Sequence, residues 1–255
     1  VRGVGDMRVA AFRYLAFGDP KDVEAIAAHV GEQQRMIADL AAALADRPEE
    51  SGLLADAARL SRDYGVGFAD LRVQTERGSE AMAAAEAARR AASAEMESLA
   101  VRAEGRVAYE PRATEVLLAA EQVRRLLLAA EAELRAFRSS GDAAALDAAA
   151  AGYEAAERAM RRAAYVAGQV DVPGDAEAGV AAVQAAAAAI APVAEAARAR
   201  QAILQQRLNI AGPGLLDVTA RLKRLVVDRQ TRLAGEADES ADAGKLAVAG
   251  GAAVA

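Results

Sequence analysis

The chain has 255 residues, 31 basic and 37 acidic, with a net charge of −6 and no stripe of basic and aromatic residues, so nucleic acid is excluded as an expected partner. It holds no Cys and one His, which removes disulfides, thiolate chemistry and a His-based catalytic metal; no cofactor and no catalytic residue is expected. Hydrophobic residues reach 54% but aromatics only 4%, because most of the apolar share is Ala. Ala favours helix and has little bulk, so an all-α fold of narrow, closely packed bundles is predicted.

Apolar residues recur at helical spacing from the start, at Val4, Met7, Ala11 and Leu15. Gly18-Asp19-Pro20 interrupts them: Gly ends a helix, Asp caps the next and Pro fits its first position. The stripe resumes at Val23, Ile26, Val30, Gln33, Ile37, Leu40 and Leu44, and a turn follows at 46–52. A second stripe runs from Leu53 through Tyr64, Phe68, Met82, Ala85, Ala92 and Met96 to Leu99, ending near Gly105. After Pro111, Val116, Val123, Leu127, Leu134 and Phe137 lead to Gly141-Asp142, where the Gly-Asp break recurs. Leu146, Tyr153, Met160 and Ala163 continue to a third turn at 171–175. The last stripe carries Val180, Val183, Ile190, Leu204 and Leu208, meets Gly212-Pro213-Gly214, and resumes at Leu215, Thr219, Leu222 and Val226.

Three turns divide the chain into four passes, about 1–46, 51–107, 113–169 and 177–247. Short turns predict an up-down-up-down bundle. Breaks in the first and third passes give four short helices and two long ones. Taking the Gly-Asp sites as joints within a pass, the expectation is two stacked four-helix modules in an elongated bundle. The membrane-proximal module would hold about 1–17, 79–139 and 205–240; the distal module, about 21–78 and 143–204. The end at 247–255, apolar and rich in small residues, is about ten residues long, whereas a bilayer span takes roughly 20. It reads as the start of a truncated transmembrane helix behind Lys245, or else as a frayed tail. A start at Val1 without Met fits a piece of a longer protein.

Four passes with these breaks resemble the helical bimodular sensor domain of bacterial methyl-accepting chemotaxis proteins. The residues carrying the resemblance are 13–19 (Arg-Tyr-Leu-Ala-Phe-Gly-Asp), 64–68 (Tyr-Gly-Val-Gly-Phe), 137–142 (Phe-Arg-Ser-Ser-Gly-Asp) and 207–213 (Arg-Leu-Asn-Ile-Ala-Gly-Pro). The resemblance implies a periplasmic domain flanked by two transmembrane helices of an inner-membrane protein, dimerising along the bundle. It implies a small ligand, commonly a carboxylic acid, held between helices, and a signal passed by displacement of the last helix. Some sensor histidine kinases carry the same domain. The rival from another class is a structural or lipid-surface amphipathic protein.

Arg8 lies beside the first seam and matches the basic residues that hold the acid in this family; the plainer reading is an Arg reaching out to solvent. Arg124 flanks Val123 and Leu127 and is a candidate second cation; Arg135 and Arg138 share one helix face near the break. Each reads more simply as solvated. Thr219 sits on the core stripe and either orients a ligand or bonds back to its own helix. Gln33 and Gln201 occupy seam positions in the distal module, where a buried amide fixes register or, with His29, lines a second pocket. Gly212-Pro213-Gly214 is expected to break the last helix.

Overall fold

The computed structural model describes residues 2–170, 172 and 176–251, with side chains described for these except 2–4, 16, 17 and 238–251. The described residues are helical with no strand. Short helices are α1 (Arg2–Phe17), α2 (Pro20–Ala43), α4 (Ala113–Ser140) and α5 (Ala143–Gln169). Helix α3 (Pro48–Glu104) runs unbroken for 57 residues, about 85 Å. The final run comprises α6 (Ala176–Ala188), α7 (Ile190–Ile203), a π-helical turn (Leu204–Leu208) and α8 (Asn209–Gly251). The four short and two long helical runs match the sequence reading. Helix α8 extends through Gly251, and the rest of the expected membrane-entering tail lies outside the described residues.

Both Gly-Asp sites cap as their chemistry dictates. Gly18 and Gly141 adopt φ of 69° and 71°, a left-handed conformation that costs other L-residues energy. Their N–H groups donate to Tyr14 O at 2.8 Å and Phe137 O at 2.7 Å. Asp19 and Asp142 then accept from Lys21 N–H at 2.9 Å and Ala144 N–H at 3.0 Å.

These sites are hairpin turns, not joints within a pass, and this corrects the expected modules. Helix α1 packs against α2, and α4 lies along α5. Arg13 and Asp22, on opposite sides of Gly18, form an ion pair at 3.4 Å. Ala130 and Gly152, equally far on either side of Gly141, face each other so closely that a Cβ on Gly152 would lie 2.9 Å from that of Ala130. The local capping geometry is the same for a joint and a hairpin. Burial of the two apolar stripes against each other decides between them.

The compact units are therefore 1–72 with 201–255, and 73–200. Helix α2 and the start of α3 join α1 and α8, while α4 and α5 pack with the second part of α3 and with α6 and α7. Each unit still has four helical walls. In the first, α8 runs antiparallel to α3: Asp70 meets Arg207, Gly67 meets Leu208, Tyr64 meets Gly212, Leu60 meets Gly214 and Glu50 meets Arg229. Its core contains Met7, Ile26, Leu54, Leu71 and Leu215, with Tyr14 and Phe68 stacked edge to face at 5.7 Å. The core of the second unit contains Met96, Val116, Val123, Leu127, Met160 and Val183, with many Ala. Gly179 admits the Met96 and Met160 methyls, which would stand 2.8 and 2.7 Å from an added Cβ.

The last helix does not break at Gly212-Pro213-Gly214. Pro213 lies inside α8, and the irregularity is the π turn just before it. Pro213 brings no N–H, so the carbonyl of Asn209 lacks its helical donor. The flanking glycines let Tyr64 and Leu60 lie against the helix, at 3.5 and 3.3 Å from where a Cβ would stand, and this packing carries the helix through.

Candidate ligand-binding site

In the unit formed by 73–200, Arg89 from α3 projects inward where the stripe of Ala85, Ala92 and Met96 faces α4 and α5. Glu131 of α4 meets it at 3.3 Å, and these side chains are only 15% and 16% exposed. Glu131 also accepts from Arg135, one turn on, at 2.6 Å. Across the same cleft Arg138 donates to Glu86 of α3 at 3.0 Å. Tyr153 of α5, with Met82 and Leu134, completes the wall.

The cleft holds about 20 Å³, room for a single water-sized group. Two buried donors at it, the Tyr153 hydroxyl and Arg89 Nε, have no hydrogen-bond partner among the described residues. Such donors are costly when left unsatisfied. Burial pushes the Tyr153 hydroxyl up; Arg89 pulls it back, and Glu131 and Glu86 push it up again. The phenol therefore remains a neutral donor through the physiological range. Three guanidinium groups face two carboxylates, so the cluster carries one uncompensated positive charge.

The expected residues divide between the units. Arg135 and Arg138 come together here, at the rim and largely exposed. Arg124 does not join them: it points to solvent and pairs with Glu121 at 3.2 Å on its own helix. Nor does it belong with Arg8, which lies in the other unit because α2, not α4, is the partner of α1.

Arg8 is half-buried, its stem 3.6 Å from where a Cβ on Gly212 would stand. Its charge acts on Tyr64, whose hydroxyl burial pushes up while Arg8 draws it down. No carboxylate among the described residues pairs with Arg8. Thr219 is satisfied by its own helix, donating to Leu215 O at 2.7 Å, which is the simpler of its two readings. Gln201 is exposed, contrary to the buried amide expected, because α7 turns its Val193 and Ala196 face inward instead. His29 and Gln33 are half-buried on α2, and Gln33 Oε1 is buried without a partner among the described residues.

Arg89 was missed from the sequence, although its signal was present. The seam steps from Ala85 to Ala92, and the helical position between them is Arg89. The buried charges Asp22 and Glu50 also escaped notice; Glu50 pairs with Arg229 at 3.0 Å.

The fold and these inward-facing charges define an all-α, two-unit sensor bundle. Residues 2–239 match the family described as the helical bimodular sensor domain, and the chain belongs to that family. It is a sensor family rather than an enzymatic one. No curated protein matches the chain. Among the described residues no group of three or more His, Asp or Glu is arranged to hold a metal. Among the described residues, one helical stretch, Ala176–Ala237, is long and apolar enough to cross a membrane by length and composition. Its Val183, Ile190 and Val193 are buried in the core of the second unit.

Proposed function

We propose that this domain is the periplasmic ligand-binding part of a bacterial chemoreceptor in the inner membrane, working as a homodimer and recognising a small organic acid between bundle helices. One carboxylate oxygen enters the cleft at Arg89 and Tyr153, the rest of the acid lies at the rim beside Arg135 and Arg138, and Arg8 offers a second cationic contact in the other unit. The observation that supports this most is the pair of buried, unpartnered donors, Tyr153 Oη and Arg89 Nε, at one cleft with an excess positive charge. A carboxylate has two acceptor oxygens and one negative charge, the complement of that arrangement.

The signal is a population shift. An acid that binds one packing of the bundle better than another biases the position of the last helix toward the membrane, and only that difference in affinity carries information. The test is a thermal-shift and calorimetric screen of the 255-residue protein against carboxylates from acetate to citrate. A binder at 100 times its dissociation constant adds about 2.7 kcal/mol of stability. Arg89→Gln should remove that gain for a binder at this cleft, and Arg8→Ala for one in the other unit. Binding by no carboxylate, or binding indifferent to both substitutions, would falsify the reading.

A further inference from the structure

A second concavity, independent of the arginine cleft, lies in the unit formed by 73–200, between α3 and α7. It is an open groove of about 430 Å³, within the range of small-molecule sites. The two helices approach closely at Gly78, where an added Cβ would stand 3.5 Å from that of Ala196. Beside that contact the side chains are too small to fill the space: Ala81, Ala84 and Ala196 form an apolar floor. Pro192 interrupts the regular helix at Ala189 and stands in the wall.

The rim carries both signs of charge. Arg77 and Glu80 come from α3 and Glu195 from α7, with Gln74 beside them. None of these four side chains has a hydrogen-bonding or ionic partner among the described residues. Elsewhere in the unit, neighbouring charges on one helix do join, as in Arg124–Glu121, Arg135–Glu131 and Arg161–Glu157. Each of those pairs has Glu on the N-terminal side, the favourable order; Arg77 and Glu80 have the reverse. They stand one turn apart, about 5–6 Å between Cβ atoms, each free to bind something else.

We propose that this groove binds an α-amino acid with a short apolar side chain. Arg77 takes the carboxylate by two parallel hydrogen bonds. Glu80 and Glu195, one from each wall, take the ammonium, and the side chain lies on the alanine floor. Two carboxylates and one guanidinium leave the rim net negative, which discriminates against a free acid. This ligand class therefore differs from the one the arginine cleft takes.

The experiment is calorimetric titration of the 255-residue protein with L-valine and L-alanine, alongside isovalerate, which is valine without its ammonium, and isobutylamine, which lacks its carboxylate. At least one amino acid is expected to bind, and both analogues to bind weaker by about tenfold or more. Arg77→Gln and Glu195→Gln, both exposed substitutions, should each weaken the amino acid by about tenfold. Arg89→Gln should leave it unchanged. No binding of either amino acid overturns the proposal. Isovalerate binding as tightly as valine also overturns it, as does valine binding unaltered by both groove substitutions.

Discussion

Gly152→Ala sets two effects of opposite sign against each other, and the sign of the outcome tests whether α4 and α5 form a hairpin. In the interior of α5, Ala is favoured over Gly by about 0.8–1 kcal/mol. Against this, the new Cβ would stand 2.9 Å from the Cβ and 3.4 Å from the Cα of Ala130. A methyl fixed to the backbone cannot swing aside, so the helices must separate, and overpacking of this kind costs about 1–3 kcal/mol. The expected net effect is a loss of about 0.5–2 kcal/mol, lowering Tm by roughly 2–4 °C per kcal/mol. Gly31→Ala on α2 is the control, since nothing lies within 4 Å of its added Cβ, and it should stabilise by about 0.5–1 kcal/mol. Urea unfolding followed by circular dichroism measures both. Ala130→Gly combined with Gly152→Ala should recover about 1 kcal/mol as a coupling term. If Gly152→Ala stabilises as much as Gly31→Ala, Ala130 is not its neighbour, and the in-line arrangement returns.

Gly141→Ala forces a side chain into a left-handed conformation and should cost about 1–2 kcal/mol, with Gly141→Asn milder, as read by the same unfolding curves. Arg229→Ala strands the Glu50 carboxylate, whose side chain is 4% exposed; the loss should be about 1–2 kcal/mol, limited by Arg229 itself being half-exposed. Adding Glu50→Gln should restore most of it, and an unchanged deficit would show that the charge was not the cause. Burial raises the Tyr64 and Tyr153 hydroxyls above the ordinary value near 10, so the unfolded chain gives up these protons first as pH rises. Their contribution to stability is complete below about pH 10 and is lost as pH climbs toward the folded values. Tyr64→Phe with Tyr153→Phe should flatten the alkaline limb of a stability-against-pH curve; an identical limb refutes the assignment.

What could be read from the sequence was local. Gly18-Asp19 and Gly141-Asp142 announced helix ends because the cap is a matter of one φ angle and one carboxylate bond. The stripe from Val116 to Phe137 was legible because its spacing follows the helical period and every expected member is buried. The direction of the chain after each cap was not legible. It depends on whether Ala130 prefers Gly152 to solvent, a contact between residues of no special type. The site followed the same rule. Arg135 and Arg138 were visible as a pair on one face, yet the inner member, Arg89, was hidden in an Ala-rich run with the spacing of a core residue. Thr219 and Gln201 sat on plausible stripes, but a back-bond satisfied one and a rotated helix face exposed the other.

The Ala-rich composition suits a sensor for a reason beyond helix propensity. Large interdigitating side chains lock one helix against another, because sliding them opens cavities and forces strained rotamers. Small side chains make shallow ridges, so neighbouring registers differ less in packing energy. In the second unit, buried residues such as Ala85, Ala92, Ala120, Ala130, Ala149, Ala156 and Ala163 lay down such a surface. The polar cluster then becomes the element that distinguishes registers. Glu131 holds Arg89 of α3 and Arg135 of α4 at once, and Arg138 holds Glu86, so sliding α4 along α3 breaks charge-assisted bonds. On the function proposed above, an acid at Arg89 would compete with Glu131 for the same guanidinium. Such a ligand would act on the contacts that fix the register, where a small difference in affinity between registers would be converted into a displacement.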